Sequence, residues 1–128
     1  AIGNAAGIVI CPSNPITSIG PILAVPGVRQ ALRNARGKIV GVSPIIGKAA
    51  ISGPAHTLMR THDLEPSVRG VAKAYADLLD LLIVDLEDQS LQSDIEKLGV
   101  KPVSANIRMN SLADKQRLAR QVLALFSK

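Results

Sequence analysis

Apolar residues fall in four short runs along the chain, and between the runs they recur at the spacing of a helix face. Ile8-Val9-Ile10-Cys11 is continuous, apolar and β-branched, the pattern of a strand buried on both faces. It stops at Pro12, which has no N–H to give a ladder. Lys38 to Ser43 and Leu81 to Val84 repeat the pattern, and the latter ends at Asp85. Val100 to Ala105 is weaker, and Pro102 predicts an edge position for it. Val28, Ala31, Leu32 and Ala35 make one helical stripe, with Pro26 at its start and Gly37 past its end. Gly53-Pro54 turns the chain into a short helix over about Ala55 to Thr61. Ser67 caps a helix whose apolar positions run from Val68 through Tyr75 towards Leu79. Ser90 to Leu98 predicts another, with Ile95 and Leu98 inward and Gly99 ending it. Ser111 with Asp114 resembles a capping box. It opens a last helix with a stripe of Leu112, Leu118, Ala119, Val122, Leu123 and Phe126. The order β-α-β-α-α-β-α-β-α predicts an α/β, Rossmann-like open parallel sheet with helices on both faces, one domain over residues 1–128.

Composition narrows the chemistry. The chain is 47% apolar but only 2% aromatic, so its core must be Val, Ile, Leu and Ala. So few rings argue against a platform for single-stranded nucleic acid. A net charge of +5 favours an anionic ligand. Arg29, Arg33, Arg36 and Lys38 read as a solvated helix side. The single cysteine, Cys11, allows no internal disulfide and reads as a small buried hydrophobe. No apolar run approaches the ~20 residues of a membrane span, and Ala1 to Asn4 carries no charged leader. A cytoplasmic protein with neither nucleic acid nor membrane as partner is expected. Residues 1–6 resemble the end of an earlier helix, so the chain is expected to be a piece of a larger α/β enzyme.

In open parallel sheets, ligands bind beyond the carboxyl ends of the strands. The two loops richest in Gly, Pro, Ser and Thr lie there, PSNPITSIGP after the first strand and PIIGKAAISGP after the second. In the first, Asn14, Thr17 and Ser18 can donate to a phosphate and Gly20 permits close approach. The same residues would suit a plain turn and cap. In the second, Ser43, Gly47, Lys48, Ser52 and Gly53 are the candidates, with Lys48 placed to neutralise a phosphate. The two loops are expected to cradle one charged diphosphate compound together. Asp85, with Glu87 and Asp88, could hold Mg²⁺ through one or two oxygens, or Asp85 could cap the next turn. His56 and His62 lack the spacing of a same-face metal pair and read as surface or satisfied histidines. There is no P-loop, complete GxGxxG, zinc signature or GxSxG, and no obvious catalytic nucleophile.

Three segments, in order, carry a resemblance. PSNPITSIGPILAV (residues 12–25), SPIIGKAAISGPAHTLM (43–59) and VAKAYADLLDLLIVDLED (71–88) resemble conserved stretches of the 2-phospho-L-lactate transferase family of coenzyme F-420 biosynthesis. Gly47-Lys48 stands where that family's paired glycine is expected, and His56 where a polar or acidic residue is usual. The resemblance implies a Mg²⁺-dependent transferase. It would move a 2-phospholactyl, phosphoenolpyruvyl or phosphoglyceryl unit from a guanosine diphosphate-linked donor to a deazaflavin acceptor, 7,8-didemethyl-8-hydroxy-5-deazariboflavin. Carried over by position, Asn14, Thr17, Ser18, Gly20, Ser43, Gly47 and Gly53 would bind substrate and Asp85 the metal. The family's glycine-rich GGTGG-type loop and its acidic deazaflavin contact have no counterpart in these residues. Exposed Val, Ile and Leu are therefore expected where that part packs, as is self-association, as a dimer. The alternative readings are a non-catalytic nucleotide-binding regulator akin to gluconeogenesis factors, and a plain interaction domain.

Overall fold

The computed structural model describes residues 1–47, 49–50 and 54–127, with residues 49–50 in backbone only. Four parallel strands make the main sheet: β1 (Gly7–Ile10), β2 (Lys38–Val42), β5 (Leu81–Asp85) and β6 (Lys101–Ala105). Their order is β1-β2-β5-β6, so each crossover lands beside the strand it left. Right-handed crossovers of this kind place their helices on one face. That face carries α2 (Val28–Arg33), α3 (Ala55–Thr61), α4 (Val68–Ala74) and α5 (Gln92–Lys97). Leu32, Met59, Val68, Val71, Ala72 and Ile95 pack there on Ile39, Leu82 and Val84. The alternate residues Val40, Val42, Leu81 and Ile83 face the other way, onto Leu118 and Val122 of α6 (Leu112–Ala124). Burying each such Val, Leu or Ile is worth ~1.5–3 kcal/mol, so the near-continuous apolar strands hold both layers at once.

The β2–β5 register is pinned below the sheet. Asp80 Oδ2 accepts from the Ile39 N–H at 2.7 Å, while the Asp80 N–H donates to the Ile39 carbonyl at 2.9 Å. Ser67 and Ser111 cap α4 and α6, accepting from the Gly70 and Asp114 N–H groups. β6 is an edge strand, as Pro102 implies. Among the described residues no helix is long and apolar enough to cross a membrane.

The structure departs from the sequence reading in several places. The second half of the first crossover starts at Val28, not Pro26, because Gly27 takes a φ of +88° before it. Gly37 does not close that helix, which ends at Asn34; it lies against the Ala5 and Ala6 backbone, where a Cβ would collide. α4 stops at Ala74, and the buried Tyr75, Leu78 and Leu79 belong to the turn into β5. Part of the loop expected from Pro44 to Pro54 is a hairpin of β3 (Ile45–Ile46) and β4 (Ala49–Ala50). A 3-10 turn, Leu86–Leu91, follows β5 before α5 begins. Cys11 is exposed rather than buried, and so are Leu98, Leu112 and Leu123. Arg29 and Arg33 are not merely solvated: both close on Asp77, at 2.7 and 2.5 Å.

Candidate functional site

The loops after β1, β2 and β5 all leave the carboxyl rim of the sheet. The first begins with Asn14, which is buried. Its Oδ1 accepts from the N–H groups of Ile16 (2.8 Å) and Thr17 (3.2 Å), and its own carbonyl accepts from Ser18 and Ile19. Pro15 fixes the entry, and a wide π-type turn, Pro15–Ile19, leads into α1 (Gly20–Ala24). Gly20 is needed because a Cβ would sit 2.9 Å from the Pro15 carbonyl oxygen. Thr17 and Ser18 are exposed at the rim. Asn14 Nδ2 is buried and has no partner among the described residues. Asn14→Ala is expected to cost about 1 kcal/mol, the usual loss of a capping side chain. Urea unfolding checks this, and an unchanged midpoint would show that the turn holds without its cap.

Ser43 is fully buried at the end of β2. Its N–H donates to the Ile83 carbonyl, and its hydroxyl donates to the Ile45 carbonyl at 2.8 Å and accepts from the Ile45 N–H at 3.1 Å. The side chain thus bends the chain into β3. Gly47 takes a φ of +58°, a conformation that favours glycine, and a Cβ there would meet only the far end of the exposed Glu87 side chain, at 2.8 Å from Oε1. Its N–H donates to Asp88 Oδ2 at 2.9 Å, joining the second loop to the third. Gly53, Lys48 and Ser52 lie outside the described residues.

Asp85 ends β5 and is buried. Its Oδ1 accepts from the Ile107 N–H at 3.2 Å and its Oδ2 from the Glu87 N–H at 3.1 Å. Glu87 is exposed and pairs with Arg108 at 3.0 Å. Asp88 is buried, and that burial raises its carboxyl above the usual carboxylate range. The Gly47 N–H opposes the shift, and the charges of Glu87 and Asp85 add to it. The folded state therefore holds this proton more tightly than the unfolded chain does. The stability this contributes is present in acid and is lost as pH rises from the ordinary carboxylate range through the folded pKa. Asp88→Asn keeps an acceptor for Gly47 and removes the charge. It is expected to raise Tm at neutral pH and leave it unchanged in strong acid, which melting curves across pH would check.

The loops after β2 and β5 meet α3 and α4 in a cleft of about 500 Å³ lined by Gly47, His56, Arg60, Ser67, Arg69 and Asp88, among others. Arg69 is tied down by Glu65 (2.6 Å) and Asp94 (3.1 Å). Hydrogen bonds from Ser67 and Arg69 hold the Glu65 carboxyl below its usual range. Among the described residues, by contrast, Arg60 makes no ion pair and the buried His56 Nε2 has no partner. His56 and Arg60 are one turn apart on α3, so they share a helix face. An uncommitted guanidinium and an imidazole beside a buried carboxylate suit an anion that arrives with a cation. Among the described residues no group of three or more His, Cys, Asp or Glu could by itself hold a metal. Asp85 and Asp88 offer one or two carboxylates, a number Mg²⁺ accepts when phosphates complete its shell.

The first loop does not open into this cleft. Pro15, Ile16 and Gly20 line a separate apolar hollow of about 430 Å³, together with Leu23, Arg29, His62, Leu64, Ala74 and Tyr75. The reason is α3, which packs against the first loop's π-turn and against β4 of the second. Among the described residues the two loops therefore share a rim but line no common cavity. The sequence reading missed Arg60 and Arg69 and set His56 aside as a surface or satisfied histidine. The four-residue spacing of His56 and Arg60 on the helix after Gly53-Pro54 was the available signal.

The family model for 2-phospho-L-lactate transferase CofD matches residues 1–124. The 2-phospho-L-lactate transferase of Methanosarcina barkeri is 45% identical over 98% of this chain and 40% of its own length. That of Methanocaldococcus jannaschii is 41% identical over 96% of this chain and 38% of its own. The phosphoenolpyruvate transferase of Streptomyces griseus is 39% identical over 98% and 40%. The chain thus spans about 40% of the length of these curated relatives. It belongs to the CofD family of 2-phospho-L-lactate transferases.

Proposed function

We propose that this chain forms the donor-binding rim of a transferase in coenzyme F-420 biosynthesis. The donor is 2-phospholactate, or its phosphoenolpyruvyl or phosphoglyceryl counterpart, joined through its phosphate to GMP so that the two phosphates form a guanosine diphosphate unit, and the acceptor is a deazaflavin. The acceptor's terminal hydroxyl oxygen bonds to the phosphorus bearing the acyl unit. The bond from that phosphorus to the bridging oxygen breaks, GMP leaves with the electron pair, and the hydroxyl proton passes to solvent. Such a step needs positioning and charge neutralisation more than a protein nucleophile. Bound Mg²⁺ would supply neutralisation of the diphosphate, held by Asp88, with Asp85 behind it. Arg60 and His56 grip the phosphate oxygens, and Asn14, Thr17, Ser18 and Gly20 shape the neighbouring rim.

The observation that supports this reading best is the cleft lined by both the buried Asp88 and Arg60, which makes no ion pair among the described residues. Calorimetric titration with guanosine diphosphate and Mg²⁺ tests it. Arg60→Ala is expected to weaken binding about tenfold, near 1.4 kcal/mol, the loss of one charge-assisted hydrogen bond. No binding by the unaltered chain, or equal binding by the variant, would overturn the assignment. Binding without turnover is expected of these 128 residues, since the GGTGG-type loop has no counterpart in them. A coupled assay with deazaflavin and donor reads this out.

A further inference from the structure

The hollow beside the first loop takes no part in the cleft, and its walls are not uniform. Ile16, Leu23, Ala24, Leu64 and Ala74 give it an apolar body, and its volume of about 430 Å³ is that of a small-molecule site. Three polar side chains interrupt that wall: Arg29, His62 and Tyr75. Tyr75 is only 3% exposed, and its phenol oxygen has no hydrogen-bond partner among the described residues. A buried tyrosine hydroxyl ordinarily finds one. Burial holds the phenol proton on, above the usual tyrosine range, while the Arg29 charge pulls the other way. The hydroxyl is therefore a lasting donor in want of an acceptor. Arg29 and Arg33 share one carboxylate, Asp77, at 2.7 and 2.5 Å, so the trio carries one positive charge in excess. His62 is exposed and turns Nδ1 to the Leu58 carbonyl at 3.0 Å. An apolar body with a buried donor and a surplus cation is the complement of a small apolar acid.

The place of the hollow gives such an occupant something to act on. Pro15, Ile16 and Gly20, which line it, belong to the π-type turn and to the first residue of α1. Wide turns of this kind are rare and concentrate at functional sites. This one is held by the Ser18 and Ile19 N–H groups, which donate to the Asn14 carbonyl at 3.1 and 3.0 Å. We propose that the hollow binds a small monocarboxylate with an apolar body, and that the occupant braces the first loop. The carboxylate accepts from the Tyr75 hydroxyl beside Arg29, and the apolar body packs on Ile16, Leu23 and Leu64. Thr17 and Ser18, exposed at the rim, are then steadied by a ligand that does not touch them. This site is independent of donor binding in the cleft beyond α3.

Titration of the whole chain with 3-phenylpropionate, followed by amide NMR, is the test. Saturable shifts are expected at Ile16, Gly20, Leu23, Ala74 and Tyr75, which line the hollow. The neutral 3-phenylpropan-1-ol should bind about tenfold more weakly, the loss of a charge-assisted hydrogen bond. Tyr75→Phe keeps the ring and should weaken the acid about tenfold as well. Its urea midpoint should stay level or rise, because the hydroxyl has no partner to lose among the described residues. Ala24→Trp, on an exposed wall residue, should block binding, while Ile22→Trp, exposed on α1 but outside the hollow, should not. With the acid at about ten times its Kd, amide exchange at Ser18 and Ile19 should slow about tenfold, the mass-action effect on an opening that expels the ligand. A hollow that holds only water would show no saturable shift, and that result would overturn the proposal. So would shifts confined to Val9 and Leu118 in the groove by α6, or the alcohol binding as tightly as the acid. Equal binding or a lower midpoint for Tyr75→Phe, or unchanged exchange at Ser18 and Ile19, would do the same.

Discussion

Asp85→Ala is expected to destabilise the metal-free fold by about 3 kcal/mol. Its carboxylate holds two backbone N–H groups, one of them on Ile107, which is fully buried. Stranding a buried donor costs ~1–3 kcal/mol, and losing the turn cap at Glu87 adds about 1 kcal/mol. Asp85→Asn keeps one acceptor oxygen and should lose roughly half as much. Urea unfolding in a chelator separates this role from metal binding. With a slope of ~2 kcal/mol per molar, the alanine midpoint should fall by more than 1 M. If both variants unfold like the parent in chelator, the carboxylate is not structural and its place would be that of a ligand alone.

The second large effect is at Gly70. Glycine inside a helix ordinarily costs ~1 kcal/mol against alanine, so a propensity argument predicts that Gly70→Ala stabilises α4. Packing reverses the sign. A Cβ there would collide with the Glu65 carbonyl oxygen and lie 3.0 Å from Met59 Cε. The carbonyl is backbone and cannot swing aside. The strain falls at or above the usual ~1–3 kcal/mol of overpacking, and the net loss is expected to be about 2 kcal/mol. Glu65 also anchors Arg69 in the cleft, so the same substitution should disturb guanosine diphosphate binding. A higher midpoint for Gly70→Ala would mean that the Glu65 turn yields more easily than its packing implies.

Features decided within a few residues were legible. The bounds of α3, the Ser67 and Ser111 caps and the edge position of β6 follow from local chemistry: Gly-Pro punctuation, a hydroxyl three residues before an N–H, a proline in a strand. Features decided by distant partners were not. Arg29 and Arg33 reach Asp77, more than forty positions away, and no local pattern marks that fork. Ser43 and Asp85 stood out as small polar residues at strand ends, and the cap that Asp85 makes with the Glu87 N–H was one of its two sequence readings, but only the folded chain shows their oxygens engaged by Ile45 and Ile107. Cys11 and Leu123 carry the same apolar signature as true core residues, yet the fold leaves both exposed. The cleft was half visible. Gly47 and Asp88 were noticed separately, while the hydrogen bond that joins them, and the Arg60 that α3 brings to it, come from topology.

Because successive strands lie side by side, every crossover can close soon after the ribosome releases it. α6 is different. Its end comes back to the second strand, where Lys38 Nζ donates to the Leu125 carbonyl at 3.0 Å across most of the chain's length. A nascent chain stalled before that point would hold its first helical layer while Val40, Val42 and Ile83 stayed wet on the opposite side. Leu118 and Val122 of α6 therefore act as a latch over these strands. They cover part of a one-sided, sticky intermediate, and shortening α6 should show first as aggregation during synthesis.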